Sequence, residues 1–216
     1  MSKSSSIIVP EGCKSVLLHA CCAPCSSAIV EWLMAHEIEP VIYYFNPNIY
    51  PQEEYEIRKN ESKRHAESLG IRWIDDDRGM ETNDWSLNHE SWKEAVCGLE
   101  HEPERGRRCE VCFYHRLLAT AKKAQESGIP YFATTLASSR WKNLEQINAA
   151  GIRAAEAVNG ELINGDALLN GAPRVQFWAQ NWRKDGLQER RNALLKEYHF
   201  YNQQYCGCEF SFQKKE

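Results

Sequence analysis

Residues 14–25 read KSVLLHACCAPC: an apolar run, Val16-Leu17-Leu18, with three thiols directly behind it at Cys21, Cys22 and Cys25. Residues 14–20 read as a short buried strand, and a helix is expected from about Ser26 to His36. The same alternation continues down the chain. Glu39–Phe45 (EPVIYYF) is a second strand, rich in aromatic and β-branched residues, and Asn46-Pro47-Asn48 breaks it. A long charged helix runs from Pro51 to about Leu69, with Gly70 as its stop. A third strand is expected over Ile71–Ile74, ending in Asp75-Asp76-Asp77, and a helix around Trp85–Gly98. Helices over Val111–Ser127, Asn143–Asn159 and Gly186–Tyr198, a fourth strand over Ile129–Thr134 and an extended or irregular Phe177–Asn181 complete the reading. Strands alternating with helices predict βαβ crossovers, hence an α/β fold with a mostly parallel sheet covered on both faces. Residues 1–216 are read as a single domain, with a polar N-terminal arm over 1–13 and a C-terminal helical segment over 177–216.

The chain has 216 residues, 43% hydrophobic and 26% charged, with a mean hydropathy of −0.59. No apolar run approaches the ~18–20 residues that span a bilayer. The start, MSKSSSIIVP, lacks the apolar core of a secretory signal. No membrane partner and a cytoplasmic location are therefore expected. In a reducing compartment, nine cysteines point to metal binding or catalysis before a disulfide framework. The net charge of −4 excludes a protein that is basic all over, but not local basic patches. Arg105, Arg107 and Arg108 form one such cluster; Arg183, Lys184, Arg190 and Arg191 form another.

In parallel α/β folds functional groups collect beyond the carboxyl ends of the strands. Cys21, Cys22 and Cys25 sit there after the first strand. Cys109-Glu-Val-Cys112 lies where a loop enters a helix, whose N-terminus favours negative charge. The topology permits these groups to meet in a four-thiolate site. Zinc usually takes paired CxxC knuckles, of which adjacent Cys21-Cys22 is an awkward half; a [4Fe–4S] cluster accepts irregular spacing. On spacing alone both metals stay open. Cys13 and Cys97 read as ordinary packed thiols. Cys206-Gly207-Cys208 near the chain end reads as a redox-active pair, since a disulfide closed over one residue is strained and easily reduced.

Taken together, HACCAPCS, FNPNIYPQEEYEIRKNE, EPERGRRCEVCFYHRL, FATTLASSRWKN, NWRKDGLQERR and FYNQQYCGCEFS resemble the QueH-type epoxyqueuosine reductases, over about residues 15–212. The resemblance implies an oxidoreductase acting in the last step of queuosine biosynthesis. It would remove the epoxide oxygen of epoxyqueuosine at the tRNA wobble position. It also implies a Rossmann-like fold of the adenine nucleotide alpha hydrolase type. A [4Fe–4S] cluster would sit on Cys21, Cys22, Cys109 and Cys112, and Cys206 and Cys208 would be the redox-active pair. A second, mononuclear iron is implied beside the cluster, with Cys25 and Asp75–Asp77 as candidate ligands. The partners would be tRNA carrying epoxyqueuosine and an external electron donor.

Removing an epoxide oxygen as water takes two electrons and two protons. Asp76, Asp77 and His115 are the candidate proton donors. For an RNA loop with splayed bases, Trp178, Trp182, Arg183 and Lys184 offer aromatic faces beside cations, as Arg105, Arg107 and Arg108 offer charge beside the thiols. Thr134, Thr135 and Ser138, after a strand, are candidates for cradling phosphate or orienting a ribose. Two other classes compete on the residues alone. One is a zinc-stabilised nucleic-acid-binding module; the other is a thiol–disulfide oxidoreductase working through Cys206 and Cys208.

Overall fold

The structure is a computed structural model and describes residues 6–76, 85–164 (side chains through 160) and 174–212. The chain begins with β1 (Ser15–His19), α1 (Ala23–Ala35), β2 (Glu39–Tyr44), α2 (Gln52–Ser68) and β3 (Trp73–Asp75). Next come α3 (Trp85–Ala95), α4 (Arg107–Glu126) and β4 (Tyr131–Thr134). The last elements are α5 (Leu144–Asn164), β5 (Gln176–Phe177) and α6 (Leu187–Glu197). Single 3₁₀ turns cover Thr135–Ser138 and Glu209–Ser211. The sheet has five strands in the order β3-β2-β1-β4-β5, all parallel, as the α/β reading expects of a Rossmann-like fold. No described helix is long and apolar enough to cross a membrane.

β1 is the centre of this sheet, and its sequence explains why. Val16, Leu17 and Leu18 are fully buried, as expected of a strand covered on both faces and paired along both edges. Leu17 is in register with Val41 of β2 on one side and Phe132 of β4 on the other. Each fully buried side chain of this size contributes roughly 1.5–3 kcal/mol. The chain reverses direction across the sheet between β1 and β4, which creates a crevice beyond their carboxyl ends.

Several boundaries differ from the sequence reading, each for a local reason. α1 begins at Ala23 rather than Ser26 because Pro24 fits a first turn, where its missing N–H has no partner to lose. Cys22 is thereby its N-cap residue, and Cys25 falls in its first turn. α4 begins at Arg107 rather than Val111, so Cys109 and Cys112 face the same side one turn apart. β3 is shifted to Trp73–Asp75, and α5 runs five residues past Asn159, to Asn164. The described part of the N-terminal arm is docked rather than free. Ile7 is buried, its N–H donates to Asp185 Oδ2 at 2.8 Å, and Ile8 O accepts from Trp178 Nε1 at 3.1 Å. Ile7 and Val9 pack on the core and supply the driving force, while the Ile8 side chain stays exposed.

Close packing of α5 on β5 depends on Gly151, where an added Cβ would stand 2.5 Å from the Phe177 ring. Gly160, further along the same helix, has open space around the corresponding position. Gly151→Ala should destabilise by about 1–3 kcal/mol through overpacking. Gly160→Ala should be neutral or stabilising by up to about 1 kcal/mol through helix propensity. Denaturant midpoints of the two variants check this contrast.

His65 is buried edge-on against the Tyr198 and Phe200 rings, with both centroids at 5.1 Å. Burial lowers its pKa below the ordinary 6.5. The unfolded chain therefore takes up a proton near pH 6.5 that the folded chain accepts only at lower pH. The stability due to this neutral imidazole is present above pH 6.5 and is lost as pH falls below it. His65→Leu should reduce the loss of stability between pH 7.5 and pH 5.5, measured as the shift of the urea midpoint relative to the unmodified protein.

Candidate functional site

Beyond the carboxyl ends of β1 and β4 lies a cavity of about 880 Å³. On the β1 side, the Cys21, Cys22 and Cys25 sulfurs lie within 4.8 Å of one another. Sequence alone puts them there: Cys21 and Cys22 come directly after the strand, and the helix starts early enough to bring Cys25 round in its first turn. Cys21 is tied to the end of β4, since its N–H donates to Thr135 Oγ1 at 3.2 Å and the same hydroxyl donates to its sulfur at 3.5 Å. Gln203 Nε2 reaches in from the C-terminal segment, 3.1 Å from Cys22 Sγ and 3.6 Å from Cys25 Sγ.

The charges within this triad are unequal. Hydrogen bonds from Cys22, then from Cys25, hold Cys21 well below the ordinary thiol range. Burial lifts Cys22 well above it, and the bond to Cys21 pushes Cys25 up to about 11. The triad thus favours negative charge on Cys21 over its two neighbours. Three convergent thiols of this kind are a donor set for a thiophilic metal.

The same cavity is also lined by Cys109, Cys112, Cys206 and Cys208. Cys109 accepts the Arg105 N–H at 3.2 Å at the start of α4, and its thiol is raised by burial. Cys112 and Cys208 share a small buried cluster with Trp92 and Val96, against which Cys206 packs. Cys206 and Cys208 are both free thiols. A hydrogen bond from the Cys208 thiol lowers Cys206 to about 6, and the same bond raises Cys208.

Buried guanidiniums line the same cavity. Arg58 is neutralised by Glu54 at 2.6 Å. Arg108 is spent on backbone carbonyls, with Nη1 donating to Glu100 O at 2.6 Å and Glu102 O at 2.5 Å. Arg116 donates from Nη1 to Asn48 Oδ1 at 2.5 Å, while its Nε and Nη2 have no hydrogen-bond partner. Arg116 is 2% exposed, so a positive charge with no carboxylate partner among the described residues is buried at the lining of the cavity. Burial, then the positive charge of Arg116, lowers His19 to about 3 and keeps it neutral. Its Nε2 faces the Phe45 carbonyl at 3.2 Å, which can only accept, so Nδ1 takes the Thr134 hydroxyl proton at 2.8 Å.

A sequence model described as epoxyqueuosine reductase QueH matches residues 16–214. The epoxyqueuosine reductase QueH of Haemophilus influenzae is 40% identical over 205 residues, covering 95% of this chain and 74% of that protein. Its counterpart in Acinetobacter baylyi is 40% identical, covering 95% and 84%. That of Thermotoga maritima is 31% identical over 204 residues, covering 93% and 92%. This chain belongs to the epoxyqueuosine reductase QueH family. It is an oxidoreductase that acts on epoxyqueuosine.

The family's chemistry can be set against where each anticipated residue lies. Cys21, Cys25, Cys109, Cys112, Cys206, Cys208, Arg105 and Arg108 line the cavity. Cys25 stands with Cys21 and Cys22, so the thiol triad is wider than the adjacent pair alone. Arg107 is exposed and its N–H donates to Glu102 at 3.2 Å. Asp76 accepts from the Tyr43 hydroxyl at 2.8 Å and pairs with Lys123 at 3.0 Å, away from the cavity lining; Asp77 lies outside the described residues. His115 stacks on Phe45, also outside the lining.

The anticipated stacking platform is corrected. Trp178 and Trp182 are 5% and 1% exposed, packed with Trp32 in the core, and offer no face to a base. Arg183 is turned inward onto Ser139 O and Lys142 O, and Lys184 is half-buried outside the lining. The hydroxyls of Thr134, Thr135 and Ser138 are engaged by His19, Cys21 and the Thr135 carbonyl. Arg58, Arg116, Asn48, Gln203 and Trp141 line the cavity without having been anticipated. All five lie inside the motifs that carry the family resemblance, which was the available signal.

The Cys206-Gly207-Cys208 turn is held from outside the sheet. Ile49 bridges Cys208, Tyr50 N–H donates to Gly207 O at 2.8 Å, and the Tyr205 hydroxyl donates to Tyr50 O. Gly207 has φ +95°, and a Cβ there would stand 2.8 Å from Ile49 Cγ1 and 3.1 Å from Arg58 Nη1. Gly207→Ala must displace the turn. It should lower reductase kcat/KM by about tenfold or more, equivalent to ~1.4 kcal/mol, with steady-state kinetics as the readout and a thermal melt to show that the chain still folds.

Proposed function

We propose that this reductase acts on epoxyqueuosine within tRNA and holds a [4Fe–4S] cluster on Cys21, Cys22, Cys109 and Cys112. Cys25 is then the neighbour of a second, mononuclear iron, and Cys206 and Cys208 are a dithiol that an external electron donor restores after each turnover. The observation that carries this reading is the convergence of three thiols within 4.8 Å at a cavity that four further cysteines also line. Arg58 supports it, because this buried cation at the cavity wall interacts with the charge of Cys22 and Cys21.

When bound, the cluster supplies electrons singly and an adjacent iron supplies Lewis acidity. The chain's own residues supply the rest. Loss of the epoxide oxygen breaks two C–O bonds, forms the alkene, and releases water at a cost of two electrons and two protons. Oxidation of Cys206 and Cys208 to a disulfide yields that number of both. The cavity, about 880 Å³, is within the range of small-molecule sites and accepts a nucleoside. Tyr205 and Phe212 cover part of it with ring surface, and Arg105 and Arg108 stand beside the thiols.

Anaerobic reconstitution with iron and sulfide should give a brown protein absorbing broadly near about 400 nm. Cys21→Ala and Cys109→Ala should each abolish the colour and the bound iron. Cys206→Ser should keep the colour and lose turnover on the order of 10²-fold or more, the scale of a missing proton donor. The reaction is read by mass spectrometry as loss of one oxygen from the modified nucleoside of the RNA. A colourless, zinc-loaded protein that converts the nucleoside would overturn the cluster assignment.

A further inference from the structure

Trp141 is 78% exposed, the most exposed of the large apolar side chains among the described residues, and it stands at the mouth of the thiol-lined cavity. A chain that buries Trp92, Trp178 and Trp182 leaves this indole in water. It is not left there by a slack loop. Arg183 Nη2 donates to Ser139 O at 2.5 Å and to Lys142 O at 3.0 Å. From the other side, Arg105 donates from Nε to Trp141 O at 2.8 Å and from Nη2 to Arg140 O at 3.4 Å. Trp141 N–H donates to Ser139 Oγ at 3.3 Å, and Asn143 Oδ1 then caps α5 by accepting from Glu145 N–H at 2.9 Å. Every residue from Ser139 to Asn143 is thus hydrogen-bonded in place beneath a side chain that projects free.

The surroundings of the indole state what it would meet. Arg140 and Lys142 flank it in sequence, Arg105 lies beneath it, and Glu104 is the carboxylate on the same rim. A fixed aromatic face among cations, at the mouth of a cavity sized for a nucleoside, is the combination that takes an unstacked base with its phosphates. We infer that Trp141 stacks on a base of the RNA next to the reacting nucleoside, with Arg140 and Lys142 meeting the adjoining phosphates. This rests on the reading that the nucleoside is reduced within RNA, and gives Trp141 a positioning role outside the reacting atoms. It also replaces the buried pair Trp178 and Trp182 as the stacking surface.

The test compares a short stem-loop carrying the epoxynucleoside with the free nucleoside, using cluster-loaded enzyme and dithionite so that no protein donor intervenes. Base–aromatic stacking is worth about 1–3 kcal/mol per base, so Trp141→Ala should raise KM for the stem-loop about tenfold more than for the free nucleoside. kcat should change much less. Trp141→Phe should recover most of the loss, and Ile152→Ala, at an exposed apolar site on α5 outside the cavity lining, should match the unmodified enzyme. Fluorescence anisotropy of an end-labelled stem-loop should show the same order of affinities without turnover. Equal losses on both substrates, or unchanged anisotropy with Trp141→Ala, would overturn the stacking role. A loss that appears only with a protein donor in place of dithionite would also overturn it, assigning the face to that donor. If unmodified enzyme reduces the free nucleoside and not the stem-loop, it is the RNA reading that falls.

Discussion

The site depends on β1 being hydrogen-bonded along both edges, to β2 through Leu17–Val41 and to β4 through Leu17–Phe132. A strand fixed on two sides has no freedom in where it ends. His19 closes it, binding Thr134 of β4 and the carbonyl of Phe45 just past β2, and burial beside Arg116 keeps its imidazole uncharged. Three neighbouring parallel strands are thus locked together at their carboxyl ends. Cys21 is two residues beyond His19, so its position inherits that lock. Thr135, one residue beyond the end of β4, completes it from the other side.

Electrostatics are set by the same placement. The thiol triad is buried, and anions in such a place are stable only with hydrogen bonds or nearby cations. Cys21 receives S–H and O–H donors, and Lys142 adds a positive charge. A buried guanidinium with idle N–H groups costs several kcal/mol if left uncompensated, and Arg58 shows the ordinary solution, a carboxylate at 2.6 Å. Among the described residues Arg116 has no such carboxylate, and its charge acts on His19.

How much of this was legible in the residues varies with the kind of signal. The parallel sheet was, because VLLH and EPVIYYF are short apolar runs separated by helix-length segments. Convergence of the thiols was legible in outline, since parallel strands deliver the residues at their carboxyl ends to one rim. Cys25 was not resolved by spacing, because its place depends on α1 starting at Ala23, and helix starts are set by capping and by Pro24 more than by periodicity. The tryptophans misled for a general reason. FWAQNWRK and SRWKN both set a tryptophan beside cations, and only the packing partners tell a core indole from an exposed one. Trp182 meets Trp32 and Trp178, whereas the residues around Trp141 are held by their backbone and leave the ring outside.

The two walls of the cavity are built in different ways, and this bears on how the chemistry is divided. The triad wall is an extension of the sheet. Cys206 and Cys208 instead belong to a segment that returns from α6 and is fastened to the Ile49–Tyr50 stretch and to Arg58 of α2. Its fastenings are backbone hydrogen bonds, an arginine fork on Tyr205 O and Cys206 O, and a glycine whose missing side chain lets Ile49 approach. None of these involves the sulfurs. The thiols can change their bonding to each other while the segment stays attached, as the proposed dithiol–disulfide cycle requires. The triad has the opposite requirement. The proposed metal site must not rearrange, and Cys21, tied to the end of β4, sits on locked strands.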